Sequence, residues 1–133
     1  MQLPFSVADR RFEKMGWFGK LESQNVEVHV RSIFLQGLLL MGAQKRPGFC
    51  QKNLLFFERW DLLCAELNIT PLEICLNFVC KVNYNFKIVF GVQNLCQLQE
   101  ILKAVLNSGT LDIPSNLQIE DEVFLNPGTW SSS

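Results

Sequence analysis

The residues of this sequence that can do chemistry stand mostly where predicted strands end. The turn Phe90, Gly91, Val92, Gln93, Asn94 joins a short apolar run to a helix start. Free N–H groups and the positive end of a helix dipole point outward at such a junction, which suits a phosphate, and a glycine lets the backbone approach it. An ordinary strand-to-helix turn that uses Gly and Asn for their geometry alone accounts for the same residues. The second candidate is Arg31 and Ser32, followed by Ile33 to Gly37, at the end of an alternating strand. Ligands of parallel α/β proteins sit at the C-terminal ends of strands, where a hydroxyl and a flexible glycine can contact a cofactor. A surface ion pair for Arg31 and a plain strand end at Ser32 are the competing explanation.

Other reactive side chains lack partners in the sequence. His29 lies inside a strand between Val28 and Val30, and it is the sole histidine, so a packing role outweighs a general base. Tyr84 falls in the polar stretch Asn83 to Asn85, which predicts a solvent-facing structural role, and Lys87 flanks a strand. Five cysteines, Cys50, Cys64, Cys75, Cys80 and Cys96, form no CxxC pair, which predicts reduced, mostly buried thiols and no metal site. No Ser/His/Asp or Cys/His constellation, Walker loop or GxGxxG fingerprint is present.

The elements that must position these residues alternate along the chain. Gln2 to Ser6 is a short β-type run with no segment before it but Met1, and Asp9 to about Gln24 has helical spacing at Phe12, Met15 and Phe18. Gly16 and Gly19 weaken that helix by roughly 1 kcal/mol each. Val26 to Ser32 alternates valine with charged or polar residues, the pattern of a strand. After the apolar run Ile33 to Met41, Gly42 to Gly48 reads as an irregular loop, and Lys52 to Leu67 as a helix with Phe56, Trp60, Leu63, Cys64 and Leu67 on one face.

Thr70, Pro71 and Glu73 spell a helix start: a cap, a proline at the first helical position and a carboxylate three residues after the cap. Its predicted buried stripe is Leu72, Cys75, Leu76, Val79 and Cys80, ending at Asn83 to Asn85. Lys87 to Phe90 then reads as a strand buried on both faces. The last helix begins near Leu95, capped by Asn94 with Gln97 three residues on, carries Leu98, Ile101, Leu102 and Val105 on one face, and closes at Asn107, Ser108 and Gly109. The stretch 110–133 has little periodicity and predicts an irregular, partly packed tail. The whole order predicts an α/β fold of parallel βαβ units. Three strands alone leave a parallel sheet with open edges, as if part of something larger.

Composition sets the outer bounds. A length of 133 residues allows one domain, and 48% apolar with 19% charged residues suffices for a core. Twelve Lys and Arg against thirteen Asp and Glu give a net charge of −1, which lacks the footprint of a nucleic-acid or polybasic membrane-surface binder. The longest apolar stretch, Ile33 to Ala43, falls well short of the roughly 20 residues that span a bilayer. The N-terminus shows no secretory signal. Together these predict a cytoplasmic protein.

Five blocks, QLPFSVADRRFE, VEVHVRSIFLQGLL, TPLEICLNFV, KIVFGVQNLCQLQEIL and FLNPGTW, in this order and spacing, resemble the C-terminal half of an aldo/keto reductase. That family folds as a (β/α)8 barrel of the TIM type, which takes roughly 250 residues. The resemblance implies a partial, truncated barrel of about three βα units: Gln2 to Ser6, Glu27 to Ser32 and Lys87 to Phe90 correspond to strands six, seven and eight. It implies a nicotinamide cofactor, NADP or NAD, and a hydride transfer to or from a carbonyl compound. The family's Asp, Tyr, Lys and His of proton transfer belong to the earlier half, so no catalytic residue is assigned here.

The cofactor side does match. The resemblance places Gln2 at the nicotinamide carboxamide, and Arg31 where many members stack an aromatic ring on the nicotinamide. Ser32, Phe34, Gln36, Gly37 and Leu38 fall along the pyrophosphate, and Gly91, Val92, Gln93, Gln97 and Glu100 around the adenosine. The chain departs from the NADPH pattern in having Gly91 or Gln93 and Gln97 where members selective for NADPH carry cations, and Ile101 where an adenine-contacting Asn is common. Both cofactors stay open. The implied function is the cofactor-binding half of a reductase, inactive alone, whose partner is an N-terminal barrel half. The alternatives are a noncatalytic module that associates with itself and a remnant without function.

Overall fold

In the computed structural model, residues 1–82, 84–106, 111, 113–114 and 117–130 are described. The strands are β1 (Gln2–Pro4), β2 (Val28–Arg31) and β3 (Phe86–Ile88), and the helices are α1 (Arg11–Lys14), α2 (Trp17–Ser23), α3 (Leu54–Leu67), α4 (Pro71–Lys81) and α5 (Leu95–Leu106). The three strands form one parallel sheet in sequence order, with Gln2 beside His29 and His29 beside Lys87. The fold is therefore mixed α/β with a small parallel sheet.

One face of the sheet makes the core. Leu3, Phe5, Val28 and Val30 are buried on it, and Phe86 and Ile88 are half-buried. Phe5 is its centre, with ring centroids 5.1 Å from Phe18, 5.2 Å from Phe78 and 5.9 Å from Phe86. Period-two alternation sends Gln2, Arg31 and Lys87 to the other face, where they are exposed, with His29 half-buried. This overturns the expectation that the last strand is buried on both faces: Lys87 is exposed and Val89 is 41% exposed. No second layer covers that face among the described residues.

Helices follow their local signals, with three differences. The expected single helix from Asp9 divides at Gly16, whose φ of 75° ends one turn and starts the next. Ser6 Oγ accepts from the N–H groups of Ala8 and Asp9 just before it, and the buried Asp9 carboxylate takes two bonds from Arg11 at 2.9 and 2.8 Å. In α4 the Thr70 hydroxyl accepts the Glu73 N–H at 3.2 Å, as the sequence predicts, but Cys80 is exposed and Ile74, Asn77 and Phe78 are buried. In α5 Ile101 and Ala104 are buried whereas Leu102 is 50% exposed.

The connection after β2 is more ordered than a loop. Leu38 and Leu39 are buried in the short 3-10 turn Leu38–Leu40, and further such turns occupy Ala43–Lys45 and Gly48–Asn53. Trp60 of α3, fully buried, donates its indole N–H to the Leu39 carbonyl at 3.0 Å. Arg46 lies on the Phe57 ring at 4.7 Å and bonds to Asp61 and to the Met41 carbonyl, tying the connection to α3.

The C-terminal segment contributes to the core through Leu117, Ile119, Phe124 and Leu125. Ile119 N–H donates to the Ala8 carbonyl at 2.8 Å, and Trp130 stacks on Phe49 at 5.2 Å. The predicted helix end at Asn107, Ser108 and Gly109, the Asn83 of the preceding break, and Thr110 and the last three serines of the tail lie outside the described residues. No single described helix is long and apolar enough to cross a membrane.

Candidate functional site

Strand geometry puts the C-terminal ends of β2 and β3 side by side, and a cleft of about 720 Å³ opens there. From the β2 side it is lined by Arg31, Ser32, Phe34, Gln36 and Gly37, with Ile33 and Leu40. From the β3 side it is lined by Gly91, Val92, Gln93 and Gln97, with Val89 and Phe90. Nine of the twelve residues singled out in the sequence thus share one cavity, although the two groups lie more than fifty positions apart in the chain. Its volume lies within the range of small-molecule and cofactor pockets.

Three singled-out residues lie elsewhere. Leu38 is 2% exposed and belongs to the core, because its 3-10 turn faces inward. Gln2 aligns with His29, two residues before the Arg31 level, and does not line the cleft. Glu100 is exposed on α5 and lies outside the lining as well.

Polar groups of the β2 side are coupled through one hydroxyl. Ser32 Oγ accepts from Arg31 Nη1 at 3.3 Å and from Gln36 Nε2 at 3.4 Å. A hydroxyl has two lone pairs and one proton, so with both pairs engaged the Ser32 O–H is left available to donate. The remaining guanidinium N–H groups, the second amide proton of Gln36 and this O–H make a set of donors suited to an anion. Among the described residues Arg31 is the one charged residue that lines the cleft, and none of them forms an ion pair with it.

This segment is held in costly backbone geometry. Ser32, Leu35 and Gln36 have φ of 58°, 50° and 55°, in the left-handed region, and Gly37 follows at 85°. Each such non-glycine residue costs of order 1 kcal/mol or more and persists only where the surroundings fix it. Gly37 is the single position of the four that signals this in the sequence.

On the β3 side the helix cap uses some of the donors. Asn94 Oδ1 accepts the Gln97 N–H at 2.8 Å and Gln97 Oε1 accepts the Gln93 N–H at 2.8 Å. This reciprocal cap leaves the backbone N–H groups of Leu95 and Cys96, in the first turn of α5, without a described partner. Among the described residues no cation lines this end of the cleft.

A second cleft, of about 390 Å³, shares Arg31, Ser32 and Gln36 with the first. Asp9, Arg11, Glu122 and Asn126 line its far side. Sequence reasoning missed it, because Glu122 and Asn126 come from the tail and no local pattern places that tail beside Pro4 and Arg31. The Asp9 carboxylate already neutralises Arg11 and holds its guanidinium above the ordinary range. Among the described residues Arg31 is therefore the cation shared by the two clefts that has no carboxylate partner.

The other reactive groups sit away from both. His29 Nε2 lies 2.6 Å from Glu27 Oε1, and Lys87 Nζ is 3.2 Å from Glu27 Oε2, on the uncovered sheet face. The bonds to His29 and Lys87 hold the Glu27 carboxyl below its usual value. Tyr84 is not solvent-facing: it is half-buried with its ring 5.4 Å from Phe18, because its backbone precedes a core strand.

Burial pushes the thiols of Cys50 and Cys75 up and that of Cys64 up to about 11, so these stay protonated and unreactive. Cys80 and Cys96 are exposed, against the expectation of mostly buried thiols, because each falls on the outward side of its helix. Among the described residues, no group of three or more His, Cys, Asp or Glu gathers to hold a metal ion.

No protein-family model matches this chain, and no curated protein matches its sequence.

Proposed function

We propose that this chain is the nucleotide-binding part of an oxidoreductase of the aldo/keto reductase type, working in the cytoplasm and taking NADP or NAD. The observation that carries the reading is the convergence of two segments, Arg31 to Gly37 and Gly91 to Gln97, on one cleft at the C-terminal ends of adjacent parallel strands. On this reading β1, β2 and β3 are three strands of a larger (β/α)8 barrel, and the uncovered sheet face is its interior.

The residues present fit the cofactor. Arg31, Ser32 and Gln36 supply donors for a pyrophosphate, and Gln93 and Gln97 offer neutral amide groups at the other end of the cleft. The nucleotide supplies the hydride when bound. The chain's own residues bind and orient it: the left-handed backbone at Ser32, Leu35, Gln36 and Gly37 fixes the donors in advance, so little freedom is lost on binding.

Among the described residues no Asp, Tyr, Lys or His lines the cleft, so on this reading the proton for the reduction of a carbonyl comes from elsewhere. Tyr84 packs on Phe18 and His29 pairs with Glu27 instead. The proton-transfer residues come from an N-terminal barrel half, the partner this reading requires.

Titration with NADH and with NADPH, followed by nucleotide fluorescence, tests the reading. Saturable binding that Arg31→Gln weakens about tenfold, the scale of a lost charged hydrogen bond, supports it. Absence of binding by the folded chain overturns it.

A further inference from the structure

The two free edges of the sheet are chemically different. In β1 the Met1 carbonyl accepts from His29 N–H at 2.8 Å and Phe5 N–H donates to the Arg31 carbonyl at 3.1 Å. Alternation then turns the backbone of Gln2 and Pro4 to the outer edge, where Pro4 has no N–H to offer. That edge is blunted against another strand.

The β3 edge carries no proline. Val89 N–H donates to the Val30 carbonyl at 2.8 Å, so Lys87 and Val89 face β2 while Phe86, Ile88 and Phe90 turn N–H and C=O outward. Among the described residues none bonds to these outward groups. An open edge of this kind is a template for a further strand.

We propose that β3 pairs antiparallel with β3 of a second copy of this chain, about a two-fold axis through Ile88. The sequence is self-complementary in that register. Ile88 faces Ile88, and Phe86 faces Phe90, as hydrogen-bonded pairs that exchange both backbone bonds. The half-buried Phe86 and Phe90 gain aromatic cross-strand partners on the core side. On the other side Lys87 meets Val89 rather than a second lysine, so no like charges oppose each other. A net charge of −1 on each copy resists association little. The axis uses the donor-rich edge of each copy and leaves the Pro4 edges outside, so the assembly closes as a dimer. This pairing does not depend on nucleotide binding, and an added N-terminal barrel half competes for the same edge.

Sedimentation velocity over the micromolar range tests the pairing together with amide hydrogen exchange. The expected result is a dimer in which the Phe86 and Ile88 amides are protected, losing that protection on dilution while Lys87 and Val89 keep theirs. Ile88→Pro deletes a donor that the monomer does not use, and it weakens the dimer about tenfold or more. Should that variant fail to fold, the exchange pattern of the unaltered chain still decides. A monomer at every concentration, an open-ended series of larger species, or a dimer with unprotected Phe86 and Ile88 overturns the inference.

Discussion

The two faces of one sheet divide this molecule. On one, Leu3, Phe5, Val28 and Val30 are buried against helices and aromatic rings; on the other, Gln2, Arg31 and Lys87 are exposed beside His29 and a Glu27 that bridges two strands. Parallel sheets are ordinarily covered on both faces. The contrast teaches that stability resides on the core face, whereas the residues with unused bonding capacity collect on the open face and at the strand ends above it.

The largest expected effect comes from removing the centre of the covered face. Phe5→Ala deletes a fully buried ring with three aromatic neighbours and is expected to lower stability by about 3–5 kcal/mol in chemical denaturation. A loss below about 1 kcal/mol would mean that the covered face is not the core.

A smaller effect is expected where a covering helix begins. Thr70→Ala removes the hydroxyl that accepts the Glu73 N–H, at a cost of about 1 kcal/mol by the same measurement. Thr70→Ser retains the acceptor and should restore most of it.

Arg31→Gln, on the open side, is expected to leave stability within about 0.5 kcal/mol, since Arg31 is exposed and forms no ion pair among the described residues. A strongly destabilised variant would turn Arg31 from a binding residue into a structural one.

The smallest effect is the pH response of Glu27. Its folded-state value is depressed by His29 and then Lys87, so the stability it contributes is present above the ordinary 4.5 and is lost as pH falls through the lower folded value. Glu27→Gln should flatten the pH dependence of the denaturation midpoint in that acidic window and change little at neutral pH. An unchanged acid limb would remove the bridge from the account.

What the sequence revealed follows the same division. Signals that act over three or four residues were legible: the Thr70, Pro71, Glu73 start, the Asn94 and Gln97 cap, and the alternation from Val26 to Ser32. The parallel order of strands also followed from the alternation of elements. Burial that depends on distant partners was not legible. Leu102 and Ala104 fit the same helical period, and packing chose Ala104; Tyr84 looked solvated until Phe18 was brought beside it. The alanine-sized contact and the ring pair are properties of the assembled core.

At the site, residue types were legible and backbone geometry was not. Arg31, Ser32 and the Gly91 to Gln93 turn stood out by their place at strand ends, and they line the cleft. Left-handed φ at Ser32, Leu35 and Gln36 carries no signature, because these residue types rarely adopt it. The second cleft was hidden because its tail wall is placed by long-range contact, such as the bond from Ile119 N–H to the Ala8 carbonyl in the segment after β1.

Nucleotide binding across the two strand ends is tested by a map of backbone amide shifts while NADH is added to the ¹⁵N-labelled chain. Saturable shifts are expected in both Ser32–Gly37 and Gly91–Gln97, following one binding curve, with Glu27, His29 and Lys87 unmoved. Shifts confined to one of the two segments, or none in either, would contradict it.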